Sequence, residues 1–184
     1  EKQHQSSKQF VPKGAGKFVS FIGTFIPNEG RDKFLRTLIC NDIPLKICGN
    51  SWEKSPIYKD IRNHCKNQAL TGLEYSQAIS TASVSLGLLS HGNRDLVTQR
   101  SFEAPACKGL FCAERTSEHQ LLYEDGVEAL FWDNAEECAQ KCKAALIDSG
   151  HNEAIRLSGH KRVHEIGVGN EDICRQILAT IGYG

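Results

Sequence analysis

Residues 84–113, VSLGLLSHGNRDLVTQRSFEAPACKGLFCA, decide the fold. Val84 to Leu89 is a short apolar run that ends in the polar loop SHGNRD. Thr98 to Cys107 then predicts a helix, with Pro105 late in it, and Leu110 to Ala113 is a second apolar run of strand length. A buried strand, a polar loop, a helix and another buried strand make the repeating unit of a parallel sheet. The rhythm continues on both sides. Upstream, KFVSFIG (17–23) predicts a strand, and Arg31 to Cys40 carries Phe34, Leu35, Leu38 and Ile39 at helical spacing. IPLKIC (43–48) predicts a second strand, stopped by Gly49-Asn50. The looser region 51–72 holds one short helix, and Glu74 to Ser80 reads as helical. Downstream come a short helix from Glu118 to Tyr123, closed by Asp125-Gly126, and a fifth strand from Ala129 to Trp132. Residues 134–148 predict a helix that Asn134 caps, with Glu136 and Glu137 at its positive end. Two more helices are predicted over roughly 151–165 and 170–181. The strands are apolar on both sides, so the expectation is an α/β fold whose parallel sheet is covered by helices on both faces. Residues 1–17 are polar, with Pro12, Gly14 and Gly16, and read as a linker or tail; residues 18–184 read as one domain.

Composition narrows the function. The 184 residues carry 22 Lys+Arg and 22 Asp+Glu, with 40% hydrophobic residues. That is folded globular composition. Zero net charge argues against a nucleic-acid partner or an anionic membrane surface, which call for a basic excess. No apolar run reaches the ~18 residues of a transmembrane segment, and the opening EKQHQSSKQF is polar. The chain has eight Cys and no Met, even at position 1, which suits a chain that begins inside a longer protein. Most of the Cys stand inside apolar runs such as LKICG and GLFCA. Free thiols in a reducing, cytoplasmic compartment are the expectation. Cys138-x3-Cys142 and His160-x3-His164 together offer four zinc ligands on two helical faces. The spacing departs from that of structural zinc knuckles, and packed cysteines beside a solvated histidine pair are the plainer reading.

In an open parallel sheet the ligand lies beyond the carboxyl ends of the strands. After the first strand, GTFIPNEGR supplies Gly23, Thr24 and Arg31, a loop and helix start with a fork-shaped cation suited to phosphate. It lacks the spaced Gly-x-Gly-x-x-Gly of nicotinamide sites, and the alternative is a surface turn with an exposed Arg31. After the third strand, Asn93, Arg94, Asp95, Arg100 and Glu103 crowd together. The acids can accept from sugar hydroxyls and the arginines can neutralise phosphate; internal pairing such as Asp95 with Arg100 is the alternative. After the fourth strand, Thr116 and Ser117 precede Glu118 and His119 at a short helix start, which either faces an anion or is simply capped.

The stretch NRDLVTQRSFEAPACKGLFCAERTSEHQLLYEDGVEALFW (93–132) resembles the carboxy-terminal signature of the CgeB-like, spore-maturation-type glycosyltransferases, relatives of glycosyltransferase family 4. FIGTFIPNEGRDKFL (21–35) and PLKICGNSWEK (44–54) resemble the same family's first two strand ends. The resemblance spans about residues 18–180. It implies a Rossmann-like sheet, the C-terminal donor-binding domain of a B-type glycosyltransferase, preceded by an acceptor-binding domain that this sequence does not contain. It implies a nucleoside-diphosphate sugar as donor substrate, retention of configuration and no obligatory cofactor or metal; no Asp-x-Asp metal motif is present. Of the family's two Glu separated by seven residues, Glu103 matches the second, and Asp95 stands as Asp at the first. Glu103 is thereby implied to touch the donor ribose, and Arg31 with Arg100 to lie near the diphosphate. Glu118 matches the Glu that opens the next short helix, and Gly126 the turn glycine after it. Two rival functions remain: a non-catalytic Rossmann-like binding or interaction module, and a zinc-stabilised regulatory domain.

Overall fold

The computed structural model describes residues 17–182, so the expected tail lies outside the described residues except for Lys17. Six strands form one sheet: β1 (Val19–Ile22), β2 (Leu45–Cys48), β3 (Cys65–Lys66), β4 (Val84–Gly87), β5 (Phe111–Glu114) and β6 (Leu130–Trp132). Their order is β3-β2-β1-β4-β5-β6, and every pairing is parallel. This is a Rossmann-like arrangement, in which the chain winds outward one way from β1 and then the other way from β4. The helices are α1 (Arg31–Cys40), α2 (Tyr58–Ile61), α3 (Gly72–Ser80), α4 (Arg100–Ala106), α5 (Ser117–Leu122), α6 (Ala135–Ile147), α7 (Ser149–Ile166) and α8 (Asn170–Thr180).

Alternation along each strand feeds two cores. In β1, β2 and β4, Val19, Phe21, Leu45, Ile47, Val84 and Leu86 point to one face, where Leu35 and Leu38 of α1 and Cys138 and Cys142 of α6 cover them. On the other face Phe111, Ala113 and Phe131 pack with Ile79 of α3, Ala104 of α4 and Val163 of α7. The five strands expected from the sequence are all present. The sixth, β3, is two residues long and pairs with Ile47 and Cys48 at the sheet edge. Its pairing is made by the backbone, and its residues, Cys and Lys, carry no strand pattern.

Local chemistry sets the element ends. The Asn134 side chain accepts from the Glu137 N–H at 2.9 Å, while the Glu137 carboxylate accepts from the Asp133 N–H at 2.8 Å. That reciprocal cap starts α6 where the sequence predicts it. Pro105 cannot donate to the Ser101 carbonyl within α4. The Tyr123 hydroxyl donates to that carbonyl instead, at 2.8 Å, and this ties α4 to the end of α5. At the opposite end of the sheet the buried Arg156 of α7 donates to the carbonyls of Ser80 and Lys108. One side chain thus satisfies the loops that enter β4 and β5. No helix among the described residues is long and apolar enough to cross a membrane.

Candidate functional site

The strand order reverses between β1 and β4, so the two loops leaving their carboxyl ends diverge and open a crevice. A cavity of about 250 Å³ lies there. Phe21, Ile22, Leu86 and Leu88 supply its apolar wall, and Gly23, Arg31, Thr98, Gln99, Arg100 and Glu103 the polar one.

The loop after β1 is held from behind. The indole N–H of the buried Trp52 donates to the Gly23 carbonyl at 2.9 Å, and the Trp52 ring sits edge-on to Phe21 at 5.9 Å. Gly49, with φ of 143°, leaves room for that carbonyl: a Cβ there would meet the Gly23 oxygen at 2.1 Å. The segment PLKICGNSWEK therefore shapes the first strand end without lining the cavity itself.

Arg31 opens α1 and turns back over the crevice. Its Nη atoms donate to the carbonyls of Leu89, at 3.0 Å, and Thr24, at 3.4 Å. Its Nε is buried and has no hydrogen-bond partner among the described residues. Burial lowers the pKa of this guanidinium, and the charges of Glu29 and Asp95 oppose the shift. Asp95 thus acts on Arg31, while Arg100 finds other partners. Glu29 fastens the β1 loop to the β4 loop, because its carboxylate accepts from the N–H groups of Gly92 (3.1 Å) and His91 (2.9 Å) and from the Ser90 hydroxyl (3.1 Å). These bonds, the Gly92 N–H first, lower the Glu29 pKa. His91 continues the bridge with its Nε2 2.9 Å from Glu114 at the end of β5.

Arg100 and Glu103 form the other wall. Arg100 donates to the Ile22 carbonyl at 2.8 Å, lies over the Tyr75 ring at 4.6 Å, and has one Nη 3.8 Å from the Glu103 carboxylate. The Tyr75 hydroxyl donates to Glu103 and accepts from Arg100. Burial raises the Tyr75 pKa, so the phenol stays neutral and can do both. Tyr75 was not foreseen from the sequence, where an aromatic residue on a helix reads as core.

The remaining sequence-predicted residues lie around this cavity or away from it. Thr24 contributes its backbone carbonyl to Arg31. Asn93 and Arg94 sit in the exposed turn after β4, Arg94 in the left-handed region with φ of 57°. Thr116 caps α5, accepting from the His119 N–H at 3.0 Å, and its hydroxyl donates to the Leu96 carbonyl at 2.7 Å. Glu118 is exposed in the first turn of α5. Gly126, with φ of 79°, occupies the turn before β6.

His119 has a structural place that its position in the sequence hides. It is fully buried, stacked on Phe131 at 5.5 Å. Its Nδ1 lies 2.7 Å from the Glu114 carbonyl, and so donates, which leaves Nε2 to accept from the Ser101 hydroxyl at 2.8 Å. Burial lowers its pKa, so it is a neutral strut between α4 and α5.

The proposed Cys-and-His zinc set does not assemble. Cys138 and Cys142 are buried on the α1 and α6 face, and His160 bonds the Pro105 carbonyl at 3.0 Å beside α4 on the other. All eight cysteines are free thiols.

The class that this geometry defines is a Rossmann-like α/β domain with an arginine-lined crevice at its switch point. A family model described as glycosyl transferase-like matches residues 31–178, and the chain belongs to that family. No curated protein matches it in sequence. Solved structures of the same architecture include Anabaena Alr3699/HepE in complex with UDP and glucose, with a TM-score of 0.72 and 15% identity over 91% of this chain. The pneumococcal O-GlcNAc transferase GtfA in complex with UDP and GlcNAc aligns at 0.69 and 17% identity over 99% of this chain. Sucrose-phosphate synthase from Thermosynechococcus elongatus aligns at 0.63 and 18% identity over 90%. The chain spans 48%, 38% and 47% of those three structures respectively. At these identities the likeness is one of fold, that of the C-terminal domains of B-type glycosyltransferases.

Proposed function

We propose that residues 18–184 are the donor-binding domain of a retaining, CgeB-like glycosyltransferase of family 4 type, which takes its sugar from a nucleoside-diphosphate sugar. The observation that carries this reading is the convergence of Arg31, Arg100 and Glu103 on one cavity at the switch point. Arg31 opens α1 just after the β1 loop, Arg100 and Glu103 belong to α4, and all three lie within the span that the family model matches. The buried Arg31 Nε, a donor without a partner, supports an anionic ligand, since a ligand oxygen would satisfy it. The relatives of the same fold bound to UDP make uridine diphosphate the first ligand to test.

In this reading the domain acts mainly by electrostatics. Arg31 and Arg100 neutralise the charge that develops on the departing diphosphate. Glu103, oriented by Tyr75, accepts from the ribose hydroxyls and fixes the donor's position. An acceptor-binding domain would close the crevice from the other side, and the isolated domain would bind donor weakly and transfer slowly. The free thiols suit work in a reducing cytoplasm.

Titration of the protein with UDP, GDP and their sugars, followed by amide NMR shifts, tests the proposal. Saturable shifts centred on Gly23, Arg31 and Arg100 are expected. No shift with any nucleoside diphosphate at millimolar concentration would overturn donor binding and favour a non-catalytic binding module.

A further inference from the structure

Cys112, at the middle of β5, points to the same face as α6, where Cys138 and Cys142 stand one helical turn apart. All three are fully buried, and their sulfur atoms lie within 4.8 Å of one another. We propose that these three thiols form a buried site for one soft divalent metal ion, Zn2+ or its analogue Cd2+, that staples β5 to α6.

The donor set is all sulfur, which selects thiophilic ions over the hard cations that carboxylates and water hold. Geometry allows a trigonal site. Metal–sulfur bonds of about 2.3 Å place three sulfurs about 4.0 Å apart around a central ion. Contraction from the observed spacing needs less than 1 Å, within the reach of side-chain rotation. Two ligands from successive turns of one helix and one from the adjacent strand also give the ring a rigid frame.

Charge is the main cost. The ion displaces one proton from each thiol to solvent, and a divalent ion with three thiolates leaves one net negative charge in the core. The same core cluster holds the indole of Trp132, whose buried N–H has no partner among the described residues. Trp132 and Cys112 lie on the same face of neighbouring strands, since Glu114, two residues beyond Cys112, is registered with Trp132. That donor would soften the charge on the thiolates. Because protons leave as the ion enters, occupancy should fall as pH drops.

Cadmium alone is the probe. The reduced, metal-free protein is titrated with Cd2+, and a second sample is refolded from denaturant with Cd2+ present, since the site is closed. The readouts are metal per protein after desalting, the ultraviolet thiolate-to-metal charge-transfer band, and cadmium NMR, which reports how many sulfurs bind. One equivalent bound by three sulfurs is expected. A C40A/C48A/C65A/C174A variant should retain the ion, and Cys142→Ala should lose it together with the rise in unfolding temperature that the ion confers. Failure of both samples to bind one equivalent overturns the proposal, as does full retention by Cys142→Ala. If Cys142→Ala does not fold, the sulfur count in the unaltered protein decides, and two sulfurs or fewer overturn the site. Donor binding is read from a different region of the molecule, so either proposal can fail alone.

Discussion

If the proposed donor-binding reading holds, replacing Glu103 with Ala separates ribose recognition from phosphate recognition, because the carboxylate would have two opposed effects. As the proposed acceptor for ribose hydroxyls it would make charge-assisted hydrogen bonds, worth roughly 1.5–3 kcal/mol when lost. As a neighbour of Arg100, 3.8 Å away with both side chains mostly covered, it would also draw that cation from a bound diphosphate. Releasing Arg100 returns about 0–1 kcal/mol to anion binding. The net loss for UDP is then about 0.5–3 kcal/mol, a twofold to 150-fold weaker Kd. Inorganic diphosphate has no ribose, so its affinity should stay equal or rise. The assay is an amide NMR titration of both proteins with UDP, 2′-deoxy-UDP and inorganic diphosphate, with thermal unfolding as the check on folding. The unaltered protein should prefer UDP over its 2′-deoxy analogue, and the variant should lose that preference. A folded variant with unchanged UDP affinity would refute the ribose contact. Equal weakening of UDP and diphosphate would show that Glu103 merely supports the wall.

Gly49→Ala should lower the thermal midpoint by several degrees and disturb UDP binding, since its Cβ would strike the Gly23 carbonyl, a backbone group that the Trp52 indole also holds; unaltered melting would contradict the close approach. Arg156→Ala leaves the Ser80 and Lys108 carbonyls without this donor and should cost about 2–4 kcal/mol in urea unfolding, with donor binding unchanged in the folded fraction. His119 has a folded pKa below its ordinary value of 6.5, so the unfolded chain binds the proton more readily. Its contribution is therefore complete above pH about 6.5 and is lost as pH falls from there toward the folded value, by at most about 1.4 kcal/mol per pH unit. Urea unfolding at stepped pH checks this, and a stability profile flat between pH 7 and pH 5 would count against a neutral buried imidazole.

What could be read in the sequence follows from what burial does to composition. Val84–Gly87 and residues 111–113 are covered on both faces, so their residues had to be apolar or small, and they stood out as strands. Cys65–Lys66 pairs with β2 over two residues, with only Cys65 packed against the core, and composition gave no sign of it. The site divides the same way. Arg31, Arg100 and Glu103 follow strands that were legible, so their gathering at one cavity followed once the sheet was parallel. Their orienting partners came from pairings across the chain that no local pattern encodes. Tyr75 meets Glu103 from 28 residues upstream, and Glu29 reaches the backbone of His91 and Gly92 across 62 and 63 residues. Both residues act by the polar end of the side chain, the phenol oxygen or the two carboxylate oxygens, while the rest of the side chain suits a helix face or a loop. A cavity wall is thus predictable where its residues share a strand end. The groups that hold that wall in place become visible only when distant loops are brought together, and in this domain they decide which atoms remain free to meet a ligand. Tyr75 occupies one acceptor position of Glu103 and one donor of Arg100, so the fold itself apportions the charges of the crevice.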